Sequence, residues 1–145
     1  MAFNIQNKVE AAWKTELEKN AYIIANSISV KTFRSNTTTK EPSIIVRAYA
    51  PKTSDENSRD NDTFEVLTEI TVYTYTPTDK SLTTIREYFE AVWNVAVKTT
   101  LTDFSQSGDI VVTGIDCNLE HEEEYDDRTQ IVRMNFITNV EDVDR

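Results

Sequence analysis

The chain has 145 residues, a formal net charge of −10, one cysteine and one histidine, and 39% of its residues are hydrophobic. This length predicts a single domain over residues 1–145, and the composition is too apolar for a disordered chain. The excess of acidic residues disfavours binding of nucleic acid through its phosphates. A lone cysteine excludes an intramolecular disulfide and fits a reducing compartment, and the sequence shows neither a secretory signal nor a membrane-spanning apolar run.

The N-terminal third predicts one helix followed by strands. Apolar residues spaced four apart indicate an amphipathic helix over about residues 4–19, with Asn4 as its N-cap and Trp13 as its packing anchor. Alternation of apolar and polar residues then predicts a short strand around Ile28 and Val30.

The next strand leads into a polar segment. SIIVRAYA, residues 43–50, alternates and places Tyr49 on the face opposite the apolar one, and Pro51 ends it. Residues 51–63, PKTSDENSRDNDT, hold no large apolar side chain and predict a polar loop. This loop is either a solvated insertion or a segment that orders against a neighbouring copy or partner.

The strongest patterns lie in the middle of the chain. FEVLTEITVYTY, beginning at Phe64, alternates like a half-buried antiparallel strand. Ser81 can cap the helix that follows, over about residues 81–98, whose apolar arc is wider than packing on one sheet requires. Either this helix lies between the sheet and the first helix, or Tyr88 and Val95 contact a second subunit.

The C-terminal part predicts a turn and two strands. After Leu101 the segment DFSQSGD indicates a turn, residues 110–115 a strand, and the alternating Val132, Met134 and Phe136 a last strand before a frayed polar tail, VEDVDR. The predicted fold class is α+β, with a mostly antiparallel β-sheet packed by two amphipathic helices.

One acidic run concentrates the side chains that could bind a metal. HEEEYDD, residues 121–127, lacks the glycine of a calcium loop, and one histidine with one cysteine is too few for a typical zinc site. The run is therefore interpreted as a charged hairpin connection, and Cys117 as a small half-buried strand residue. Because the sequence also lacks nucleophile-elbow and phosphate-binding glycine motifs, it predicts no catalytic residue, cofactor or metal.

The order and size of these elements resemble the tail-terminator and tail-completion proteins of long-tailed bacteriophages. The resemblance covers roughly residues 1–140 and rests on EVLTEITVYTYTP before LTTIREYFEAVWNVA, and on the acidic NLEHEEEYDDR before a strand with Arg133 and Phe136. Members of that family form a hexameric ring at the head-proximal end of the tail tube, stop its polymerisation and dock to the head connector. The long 51–63 loop and the scarcity of glycine in the turns depart from the family.

The resemblance implies a structural virion protein of the neck, assembled in the host cytoplasm, with itself, the tail tube and the head connector as partners. DNA would pass through the ring without specific binding. Sheet edges, the wide helix and the polar loop are the expected contacts, and the candidate residues are Tyr49, Asp55, Glu56, Arg59, Tyr88 and Val95. The alternatives are another neck or head-completion adaptor, a monomeric acidic inhibitor domain, and a small metal-dependent enzyme using His121 and Glu122–Glu124.

Overall fold

A computed structural model of the chain describes residues 4–32, 42–53, 63–75, 83–117, 121–125 and 129–141. The helices are α1 Ile5–Glu18, α2 Ala21–Ala25, α3 Thr83–Lys98 and α4 Leu101–Gly108. The strands are β1 Ser29–Lys31, β2 Ser43–Ala48, β3 Lys52–Thr53, β4 Thr63–Tyr75, β5 Val111–Asp116, β6 His121–Tyr125 and β7 Thr129–Glu141. The predicted α+β class is confirmed.

A single mixed sheet forms the centre of the described structure. Its strand order is β1-β2-β4-β7-β5, and β4 pairs with β7 antiparallel along all thirteen residues of each strand. β3 pairs with β4 beyond the end of β2, and β6 pairs with β7 beyond the end of β5, so the seven strands occupy five positions across the sheet. β1 and β2 run parallel, and the other described pairs are antiparallel.

One face of the sheet, the inner face, holds the core. Alternate residues of β4 and β7 are buried there, as predicted, except that Phe64 at the start of the pattern is only half-buried. The buried residues include Val66, Thr68, Ile70, Val72, Val132, Met134 and Phe136. Three helices pack on this face, α1 against β2, α3 against β4 and β7, and α4 against β5, and α2 packs against α1 and α3. Residues at the intervening positions form the opposite, outer face, because side chains alternate along a strand.

Trp13 is the packing anchor of α1, as predicted. Its ring is fully buried between Phe104 and Phe136, with ring centroids 4.9 and 5.0 Å away. The indole Nε1 donates a hydrogen bond of 3.0 Å to Thr138 Oγ1 at the inner face of β7. Asn4 occupies the N-cap position of α1, but its side chain makes no capping hydrogen bond.

The turn predicted after Leu101 is wrong, because this segment forms helix α4. The side chain of Thr100 caps the helix by accepting from the amide of Asp103, and Asp109 ends it in the left-handed conformation with φ of 54°. Phe104 is fully buried against Trp13 and provides the apolar anchor that stabilises so short a helix.

Helices α1 and α4 pack closely around Gly108. A Cβ atom at this glycine would lie 2.6 Å from the carbonyl oxygen of Lys8 and 2.8 Å from the Cβ of Ala12. Near this contact the buried carboxylate of Glu16 accepts a hydrogen bond from Ser107. The polar segment 101–108 therefore belongs to the helical layer because Gly108 allows close contact with α1 and the Phe104 ring is buried.

Two further elements differ from the sequence prediction. The five-residue helix α2 was not predicted, and the side chain of Asn20 caps it by accepting from the amides of Tyr22 and Ile23. The acidic run predicted as a hairpin connection contains a strand, β6, which pairs with residues 130–134 of β7.

The boundaries of the predicted loop and tail also change. β3 lies within the predicted 51–63 loop, and Thr63 begins β4. Val140, placed in the predicted tail, is fully buried near the end of β7. Asp55, Glu56, Arg59, Ser81 and residues 142–145 lie outside the described residues.

Candidate interaction surface

The outer face of the sheet is not covered by any described helix. Apart from the buried Thr71, its described residues are half-buried or exposed, whereas their inner-face neighbours are almost all fully buried. Leu67, near its middle, is 40% exposed. Its large side chains are contributed by β2, β4 and β7 and the residue just after β2: Ile45, Arg47, Tyr49, Leu67, Glu69, Tyr73, Ile131, Arg133 and Ile137.

Tyr49 lies on this face, as the sequence predicted. Its amide donates to the carbonyl of Leu67 at 2.9 Å, which continues the β2–β4 pairing one residue beyond β2. The guanidinium carbon of Arg47 lies 4.6 Å from the centre of the Tyr49 ring, and the Tyr49 hydroxyl donates to Glu69 Oε2 at 3.4 Å. Tyrosine and arginine are enriched at protein–protein contacts, so this cluster is suited to binding a protein surface.

Opposite charges face each other across the strands of the outer face. Arg47 of β2 is in register with Glu69 of β4, and Lys52 of β3 with Glu65 of β4. Directly opposed charges of opposite sign stabilise a sheet modestly. They also leave this part of the surface balanced in charge, although the whole chain carries −10.

The other two described candidates, Tyr88 and Val95, belong to the core. They are 7% and 5% exposed, and the Tyr88 ring packs edge-on against Tyr22 of α2 at 5.8 Å. Within the chain, Tyr22 of α2 covers Tyr88, and contact of Tyr88 and Val95 with a second subunit stays a prediction. Burial, followed by the Glu87 charge, raises the pKa of Tyr88.

Tyr22 couples α2 to α3 through its hydroxyl group. This hydroxyl donates a hydrogen bond of 2.8 Å to Glu87 Oε2. Burial, together with this hydrogen bond and the nearby Glu87 charge, raises the pKa of Tyr22 to about 12. The hydroxyl therefore stays protonated, and remains a donor, across the neutral range.

The sheet edges, which the sequence predicted as contacts, are occupied at two places by side chains of the same chain. At the β2 edge the amide of Ala48 donates to Glu10 Oε2 at 2.9 Å, and Gln6 Nε2 donates to the Ala48 carbonyl at 3.2 Å. At the β5 edge the amide of Val112 donates to Ser105 Oγ at 2.9 Å. None of these three backbone groups is available to an added strand without breaking an internal hydrogen bond.

The described residues show little that resembles a reactive centre. Among them, no three His, Cys, Asp or Glu side chains come together in a way that could hold a metal ion. Cys117 follows β5 and is half-buried, and burial and then the Asp116 charge raise the pKa of its thiol. The side chains of His121 and Glu122–Glu124 lie outside the described part. No described helix is both long and apolar enough to span a membrane.

Comparison with known proteins identifies a shared fold. No protein-family model matches the chain, and no curated protein matches it in sequence. The fold is similar to that of a chain in a solved virion structure, with a TM-score of 0.64 over 92% of this chain and 94% of the other. That structure is the virion of a native gene transfer agent particle, and the two sequences are 14% identical, so the likeness is one of fold.

Proposed function

We propose that the protein is a structural component of a phage-like virion that forms a ring at the head–tail junction. Six copies would end the tail tube and dock it to the head connector. The observation that carries the proposal is the likeness to a gene transfer agent virion chain over nearly the full length of both chains. Because fold alone does not define function, the surfaces described above supply the rest of the argument.

The outer face of the sheet is the surface that we assign to contact between copies. Leu67 and the Tyr49 ring offer apolar area there, and the opposed charges around them avoid the repulsion expected between two chains of charge −10. The polar segment of the sequence that contains Asp55, Glu56 and Arg59 is assigned to the tail tube and connector. A net acidic ring repels the DNA backbone and so lets DNA pass without binding.

The first experiment measures the assembly state directly. The purified protein is imaged by negative-stain electron microscopy across a concentration series, and native mass spectrometry counts its 16.7 kDa subunits. Closed rings of about six subunits are expected, since head-to-tail contacts in a ring close at a fixed copy number. Added tail tubes should carry one ring at the end. Protein that stays monomeric and caps no tubes would overturn the proposal and favour a monomeric inhibitor domain.

A pair of matched variants tests the assigned surface. Leu67→Arg places a charge in the middle of the outer face, and Val97→Arg places one on α3, at a residue 48% exposed. Both positions are solvent-exposed, so both variants should keep their stability within about 0.5 kcal/mol. Leu67→Arg should abolish rings and Val97→Arg should retain them. Loss of rings only in Val97→Arg would move the contact to the helical layer.

A further inference from the structure

The last residue of β2, Ala48, presents backbone groups at an edge of the sheet to which another strand could pair. Tyr49 directs its amide toward β4, where it bonds to Leu67. Backbone groups alternate in direction along a strand, so Ala48 directs both its amide and its carbonyl away from β4. β1 covers the preceding part of this edge, residues 43–45. Ala48 is therefore the position where another strand could begin to pair with β2.

Two side chains of α1 occupy that position. Glu10 Oε2 accepts from the Ala48 amide at 2.9 Å, and Gln6 Nε2 donates to the Ala48 carbonyl at 3.2 Å. Gln6 and Glu10 are four residues apart and so lie on the same side of the helix. Together they supply one acceptor and one donor, which is what a residue of a neighbouring antiparallel strand would supply.

We propose that Gln6 and Glu10 form an autoinhibitory clamp that keeps the β2 edge of one copy from pairing with a strand of a second copy. An exposed edge is a ready template for another chain, and covering it with a helix is one way that proteins prevent this. The clamp goes beyond the proposed ring, because it concerns an association that the free protein avoids. It directs assembly toward surfaces other than this edge.

Three variants separate the clamp from the general stability of α1. Gln6→Ala with Glu10→Ala removes both hydrogen bonds to Ala48. Glu10→Gln keeps an oxygen that can accept from the amide, so it should keep the size distribution of the unmodified protein, although its neutral acceptor should protect the Ala48 amide less well. Lys14→Ala with Glu18→Ala is the control for the loss of two side chains, since this pair forms a 2.9 Å ion pair elsewhere on the same helix.

Hydrogen exchange and light scattering measure the two consequences. In dilute protein, the double clamp variant should exchange its Ala48 amide at least about tenfold faster, since hydrogen bonds to charged groups are the stronger ones. The Tyr49 amide, bonded to Leu67, should keep its exchange rate. On concentration the variant should form species larger than those of the unmodified protein, and the Ala48 amide should become protected again.

The outcomes distinguish the clamp from the ring. A folded double variant with the same size distribution as the Lys14 and Glu18 control would overturn the clamp, whether or not rings form. Association without renewed protection at Ala48 would overturn it too, because the contact would then lie elsewhere. If the unmodified protein forms no rings while the double variant associates through Ala48, the clamp stands and the proposed function fails.

Discussion

Replacing Thr138 with valine should destabilise the protein by breaking a hydrogen-bonded chain in the core. Trp13 Nε1 donates to Thr138 Oγ1 at 3.0 Å, and Thr138 and Thr68 share a second hydrogen bond of 3.0 Å. Thr68 donates to the carbonyl of Val66, so the single proton of the Thr138 hydroxyl goes to Thr68. Trp13, Thr138 and Thr68 are each at most 1% exposed.

The expected loss follows from what valine leaves behind. Valine nearly matches the shape of threonine, so no cavity forms, but the buried indole N–H loses its acceptor. A buried donor without a partner costs about 1–3 kcal/mol, and we expect about 2 kcal/mol here. For a chain of this size that corresponds to a fall in Tm of roughly 4–8 °C. Thr68→Val should cost less, because Thr138 can still accept from Trp13.

Urea unfolding followed by tryptophan fluorescence and circular dichroism measures the difference. The two variants and the unmodified protein are compared at one protein concentration, because association would shift the apparent stability. The double variant should lose less than the sum of the single losses, since both residues belong to one network. A Thr138→Val protein within about 0.5 kcal/mol of the unmodified one would refute the reasoning, because that is the range of neutral surface changes.

Three other substitutions test the helical layer. Gly108→Ala should lower the free energy of unfolding by about 1–3 kcal/mol, measured in urea, because the added Cβ would meet α1. Gly114→Ala should cost much less, because a Cβ added there would lie 3.6 Å from its nearest neighbouring atom. Equal losses would contradict the close packing of Gly108 against α1. Phe104→Ala should lower the free energy of unfolding by about 3–5 kcal/mol, and Leu101→Ala should lower it far less because Leu101 is 40% exposed. A small loss for Phe104→Ala would argue against a core role for α4. Tyr22→Phe should make the free energy of unfolding decrease less steeply with pH in the alkaline range. A raised tyrosine pKa stabilises the fold below pH 10, and this contribution is lost as the pH rises toward about 12. Urea midpoints measured across that range should therefore decline less steeply in the variant, and identical slopes would exclude Tyr22 as a source of the decline.

The sequence predicted the elements whose pattern is long and periodic. The strand beginning at Phe64 and the helix over 81–98 repeat their apolar residues over several turns or pleats, so the periodicity identifies them. α4 was missed because Phe104 is its one large buried residue and its Ser, Asp and Gly residues are typical of turns. β6, which pairs with β7, was not predicted because its three consecutive glutamates lack the alternation of apolar and polar residues that indicates a strand.

The candidate surface could be predicted only in part. Alternation along residues 43–50 places Tyr49 on the outer face, and the structure agrees. The approach of Glu69 depends on the register between β2 and β4, which no local pattern specifies. The burial of Tyr88 depends on α2, a five-residue helix too short to give a periodic signal.

The pairing of β4 with β7 also bears on how the chain reaches its native state. Thr63 pairs with Glu141 and Tyr75 with Thr129, so each contact in this ladder closes a loop of more than fifty residues. The entropy of closing such loops is lost before the contacts stabilise them, and folding slows as the mean sequence separation of contacts rises. The two central strands are therefore expected to join late in folding. Before β7 pairs, β4 has no neighbouring strand along one of its edges, and its apolar residues are less well covered. A nascent or truncated chain ending before residue 129 would therefore depend on chaperones to avoid aggregation.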